Sequence, residues 1–153
     1  MQKEVAVPGT ALQSGFIDMT AGRNFLLAAS AASATTAVVV IPPFAEEMNK
    51  SRHLLSAVMR QLAANGCSCF MLDNYGTGDS EGDLDDATTA IWRADLQQLL
   101  ATLAAEGYQR VSFIAERFGN LQLFDLINKH PLPLTIKQLV LWQPMLDVAK
   151  CWQ

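Results

Sequence analysis

Histidine is scarce in this chain: there are two, His53 and His130. Chemistry that needs an imidazole base must therefore use one of them. His53 lies inside an expected helix and His130 at a helix end before Pro131, places that suit structural or solvated histidines. Cysteine is also sparse, with Cys67, Cys69 and Cys151. Three such residues make no disulfide framework, and with the histidines they lack metal-ligand spacing. Buried thiols, a cytoplasmic setting and no metal site are the expectations. No run of Lys or Arg occurs, and 15 acidic residues outnumber 11 basic ones for a net charge of -4. No nucleic-acid partner is expected. No G-x-x-x-x-G-K-[ST] and no complete G-x-G-x-x-G opens a helix, so a nucleotide cofactor is not expected, nor any other. The most apolar segment, residues 25–44, is broken by Ser30, Ser33, Thr35, Thr36 and two prolines, so no membrane span is expected. The first residues, Met1-Gln2-Lys3-Glu4-Val5, lack the apolar core of a signal peptide.

What is present suits one globular domain across residues 1–153, half hydrophobic and 17% charged. Weak strand candidates at Gln13–Met19 and Asn24–Ala29 flank Ala21-Gly22-Arg23 as a hairpin. Thr36–Ile41 is a β-branched run without polar alternation, and Cys67–Leu72 is a second, as expected of strands covered on both faces. Helical spacing marks Lys50–Asn65, Thr88–Glu106 and Phe118–Lys129, with Gly66 and Gly107 as stops. Strands Val111–Ala115 and Gln138–Trp142 complete the series. Strands alternating with helices predict an α/β fold, a mostly parallel sheet with helices on both faces.

In such a sheet a ligand site lies beyond the carboxyl ends of the strands. Three loops qualify: Pro42–Ser51, Asp73–Asp83 and Glu116–Gly119. The second reads D-x-x-G-x-G-x-S from Asp73 to Ser80, with Tyr75 inside it. That run after the fourth strand resembles a recurrent feature of α/β-hydrolases. Pro43–Arg52, P-F-A-E-E-M-N-K-S-R, and Asp73–Asp83, D-x-x-G-x-G-D-S-x-G-D, closely resemble the α/β-hydrolase family that accompanies exosortase A systems. Ile91-Trp92 and Leu141-Trp142-Gln143-Pro144 extend the likeness over roughly residues 37–146. The resemblance implies an α/β-hydrolase-like fold that stops after about the sixth strand. It also implies a hydrolase-family protein linked to exopolysaccharide and surface-protein sorting. In that family a histidine often stands where this chain has Pro42.

Ala115-Glu116-Arg117-Phe118-Gly119 occupies the turn where an esterase of this superfamily carries G-x-S-x-G. Arg117 stays protonated at any working pH, so it is neither nucleophile nor base. Ser112 lies within a strand, and Ser51 and Ser80 lack an evident histidine base. No catalytic residue is assigned. The candidate ligand or clamp site is Arg117, Glu46, Glu47, Asn49, Asp73, Tyr75 and Ser80. A carboxylate of Glu46 or Glu47 is expected to bridge the Arg117 guanidinium in a bidentate fork, or else Arg117 takes an anionic small molecule. Glu46, Glu47, Asn49 and Lys50 equally suit the capped, solvated start of a helix. The function is then a hydrolase-family protein without triad hydrolysis by this chain alone. The alternatives are an ester hydrolase completed by a partner or a further segment, and a non-catalytic binding or assembly module. A sixth strand at the sheet edge predicts self-association or a covering partner, with the tail Met145–Gln153 folding back over part of it.

Overall fold

The computed structural model describes residues 12–43 and 46–145. Among the described residues, four strands and three helices alternate along the chain after an opening two-stranded hairpin. β1 (Gln13–Asp18) and β2 (Arg23–Ala29) pair antiparallel. Then come β3 (Thr36–Ile41), α1 (Glu46–Ala64), β4 (Ser68–Leu72), α2 (Thr89–Ala105), β5 (Arg110–Glu116), α3 (Gly119–Lys129) and β6 (Thr135–Trp142). The sheet order is β1-β2-β4-β3-β5-β6, with β4, β3, β5 and β6 parallel. This is the α/β arrangement expected, with a mostly parallel sheet.

Each central strand feeds two cores. On β3, Ala37, Val39 and Ile41 join Phe70, Leu72, Leu99, Leu100, Phe113, Leu123 and Leu126 under α2 and α3. Val38 and Val40, pointing the other way, join Leu55, Met59, Cys69 and Met71 under α1. Period-two side-chain alternation with both faces covered explains why β3 has no polar position after Thr36. One face thus carries two helices and the other carries one, and Leu54 on α1 is left exposed.

Two boundaries differ from the sequence expectation by three residues or more. Helix α1 begins at Glu46, so Glu46, Glu47, Asn49 and Lys50 belong to its first turns and not to a loop. Two acidic residues there favour the positive end of the helix dipole, and the apolar spacing farther along does not reveal them. β6 begins at Thr135, three residues before the expected Gln138, because it pairs with β5 from Arg110 onward through a register shift near Val111. An additional short 3-10 turn, Leu84–Asp86, leads into α2. Beyond Met145 the expected fold-back of the tail lies outside the described residues, as does Cys151. Among the described residues no helix is long and apolar enough to cross a membrane.

Candidate functional site

The strand-to-helix turn after β5 is built around Arg117, whose φ of 51° is left-handed. A non-glycine residue there costs about 1–2 kcal/mol. Several hydrogen bonds hold it. The Arg117 N–H donates to the Trp142 carbonyl at 3.0 Å. Its own carbonyl accepts from the Asn120 backbone at 3.1 Å and from Asn120 Nδ2 at 3.0 Å. Gly119 lets α3 start against the end of β3, since any Cβ there would overlap the Ile41 carbonyl oxygen.

Because β3 lies between β4 and β5, the helix that follows β3 starts beside this turn. Arg117 Nε donates to both carboxylate oxygens of Glu47, each at 2.9 Å. The contact is one N–H shared by two acceptors, not the two-nitrogen fork expected. The side chains are 34% and 43% exposed, which puts the pair in the range of about 0–1 kcal/mol. Glu46, Asn49 and Lys50 are exposed and do not join it. One helical turn after Glu47, Ser51 Oγ donates to Glu116 Oε1 at 3.0 Å. Glu116 is buried, and among the described residues its Oε2 has no hydrogen-bond partner. Sequence reasoning missed this pair. The available signal was Ser51 four residues after Glu47 on one helix face.

The glycine loop is bonded largely to itself and to its neighbours. Buried Asp73 pairs with Arg52 Nη2 and accepts the Asp79 N–H at 3.1 Å. Burial raises the Asp73 carboxyl above its ordinary pKa, and the Asp79 N–H and Arg52 guanidinium only partly pull it back. Arg52 also stands over the Phe25 ring at 5.4 Å. Ser80 Oγ donates to the Asp73 carbonyl at 2.7 Å and accepts the Phe25 N–H at 2.9 Å, so its hydroxyl staples the loop to β2. The Tyr75 carbonyl accepts from Trp92 Nε1 at 2.9 Å, and its ring packs over Gly82. Asn74 and Gln122 exchange two amide hydrogen bonds of 3.1 Å, tying the loop to α3. Arg52 as the partner of Asp73 was not anticipated, although a buried aspartate calls for a cation and Arg52 is the last residue of the conspicuous Pro43–Arg52 stretch.

The structure thus joins Arg117 to Glu47 and keeps Asp73, Tyr75 and Ser80 within a separate loop network. His53 is exposed on α1, on the side of the helix away from Ser51. His130 caps the far end of α3, an 11-residue helix, about 16 Å along its axis from the turn. Burial pushes the Cys69 thiol up to about 11, so it stays protonated. Among the described residues no group of three His, Cys, Asp or Glu is placed to hold a metal.

Residues 32–152 match the family described as serine aminopeptidase, S33. The chain belongs to that family. Its α/β-hydrolase fold is shared with solved structures. A protein from Agrobacterium vitis S4 described as a hydrolase aligns with TM-score 0.69 and 19% identity, over 88% of this chain and 53% of that one. An epoxide hydrolase from Vigna radiata gives 0.66 and 19%, over 85% and 39%. Alpha/beta hydrolase domain-containing protein 10 from mouse gives 0.66 and 18%, over 84% and 48%. The chain therefore spans about half or less of the length of these three structures. No curated protein matches it in sequence. At these identities the likeness is one of fold, and what an S33 family member does must be argued from its own site.

Proposed function

We propose that this chain is a non-hydrolysing member of its family, of the branch that accompanies exosortase A systems and exopolysaccharide production. It would act in the cytoplasm as one domain over residues 1–153. The observation that carries the reading is Arg117 at the apex of the strand-to-helix turn, the position where a hydrolysing relative would display its nucleophile. A guanidinium held by Glu47 cannot attack a carbonyl or relay a proton. Ser80 and Ser51 offer no substitute, since Ser80 is occupied by two backbone groups and the hydroxyl of Ser51 donates to the Glu116 carboxylate and not to an imidazole. Arg117 then serves as a clamp between α1 and the turn. The exosortase link rests on the Pro43–Arg52 and Asp73–Asp83 stretches.

Short-chain p-nitrophenyl esters offered to the wild type, Ser80→Ala and Arg117→Ser should show no turnover above buffer in any of the three. A fluorophosphonate probe should label none of them. Turnover in the wild type that disappears in Ser80→Ala would overturn the reading.

A second reading is favoured by β6. Its edge is unpaired among the described residues, and Leu139, Val140 and Leu141 are 39%, 41% and 39% exposed. Under that reading another subunit completes the sheet and supplies what a hydrolase site needs. Light scattering then shows a concentration-dependent dimer or larger assembly, whereas a monomer across a wide concentration range counts against it.

A further inference from the structure

On the opposite side of the turn from Glu47, α2 and α3 leave a cleft between their first turns. It is open to solvent, has a volume of about 150 Å³ and, among the described residues, is lined by Thr89, Arg93, Phe118, Leu121, Gln122 and Asp125. Phe118 and Leu121 supply the apolar surface. The Phe118 ring is fixed edge-on to Trp92, with centroids 6.1 Å apart. Thr89, Arg93, Gln122 and Asp125 make the rest of the lining polar, so the apolar surface is confined to what Phe118 and Leu121 present, about enough for one ring.

The charged groups are arranged asymmetrically. Arg93 Nη1 donates to Asp125 Oδ2 at 2.8 Å, and Lys129 Nζ donates to Asp125 Oδ1 at 2.8 Å. One carboxylate thus answers two cations. Burial alone would raise the Asp125 carboxyl, but Lys129 and Arg93 outweigh it and hold it below its ordinary value. The Arg93 side chain is 18% exposed, and among the described residues its Nε and Nη2 have no hydrogen-bond partner. A partly desolvated guanidinium with unused donors beside an apolar cleft is half of a charge-assisted pair. Gln122 exchanges its amide hydrogen bonds with Asn74 and makes none to Arg93.

We infer that this cleft is a binding site for a small monocarboxylate with a ring-sized apolar body, its carboxylate on Arg93 and its body against Phe118 and Leu121. The inference is independent of whether the chain hydrolyses anything. Benzoate and its neutral counterpart benzyl alcohol are the probes, titrated into the full chain with the Leu121 methyl signals followed by NMR. Benzoate is expected to shift them saturably with a dissociation constant of about 1–10 mM. Benzyl alcohol should bind at least about tenfold more weakly, and Arg93→Gln should cost benzoate a similar factor. Asp125→Asn keeps the side chain's shape and releases Arg93, so it should tighten benzoate about threefold. A gain of that kind cannot come from a merely destabilised protein. No saturable shift at Leu121, equal affinity for the alcohol, or weaker binding in Asp125→Asn would overturn the assignment. So would binding that survives Arg93→Gln and fails in Arg117→Ala, which moves the anion to the other side of the turn.

Discussion

Asp95→Asn is expected to raise the stability of the chain at pH 7.5 by up to about 3 kcal/mol and to leave it nearly unchanged near pH 4. Asp95 is 1% exposed on α2 and faces Asn24 of β2. Among the described residues its hydrogen-bond donor is Asn24 Nδ2 at 3.1 Å, an amide that also serves the Asp73 carbonyl at 3.0 Å. Burial raises the carboxyl from 3.8 to about 6, and the Asn24 bond recovers only part of that cost. A group whose folded pKa is raised contributes its stability in the protonated form. That contribution is full below 3.8, declines through the interval, and is lost above about 6. A shift of this size corresponds to about 3 kcal/mol at 1.36 kcal/mol per unit. Asparagine keeps the shape without the charge. Its amide can also donate to Asn24 Oδ1, which is buried and has no hydrogen-bond partner among the described residues. Urea unfolding of wild type and variant at both pH values measures the difference directly. Parallel pH profiles for the two proteins would rule the argument out.

Gly119→Ala is expected to lower stability by about 2–3 kcal/mol, or about 5–10 °C in Tm for a chain of this size. Most glycine-to-alanine changes in a helix are favourable, because alanine has the better helix propensity. Here the new methyl would overlap the Ile41 carbonyl and stand 3.0 Å from the Pro42 carbonyl oxygen. Backbone at the end of a central strand cannot rotate away as a side chain can. The start of α3 must therefore lift from β3 and take Arg117 with it. Thermal unfolding reports the cost, and a Tm within about 1 °C of wild type would show that the helix yields without strain.

The core strands were readable because burial on both faces writes an uninterrupted apolar run, and Thr36–Ile41 is the same segment in the structure. The amphipathic helices were readable from their spacing, apart from the start of α1, where polar residues continue a helix that apolar positions had only begun to mark. The contacts of the site were less legible. Arg117 reaches Glu47 across 70 residues, Ser51 reaches Glu116 across 65, and Arg93 reaches Asp125 across 32. No local pattern encodes such pairs. They depend on which strand lies beside which, and on the rotation of each helix over the sheet. The sequence offered Glu46 and Glu47 alike as neighbours for Arg117. Helical rotation at the start of α1 brings only Glu47 within hydrogen-bond reach.

By itself, the sequence determined the alternation of strands and helices, the glycine-rich loop and the arginine at the turn after β5. These are local properties: side-chain period, φ preference and the chemistry of a single residue. Only the tertiary structure decided that Ser80 is a staple, that Asp73 is held by Arg52 and that a cleft opens beside Phe118. The reason is physical. A hydroxyl, a carboxylate or a guanidinium takes its role from the donors, acceptors and water it meets, and the order β4-β3-β5 brings those neighbours together only after the chain has closed on itself.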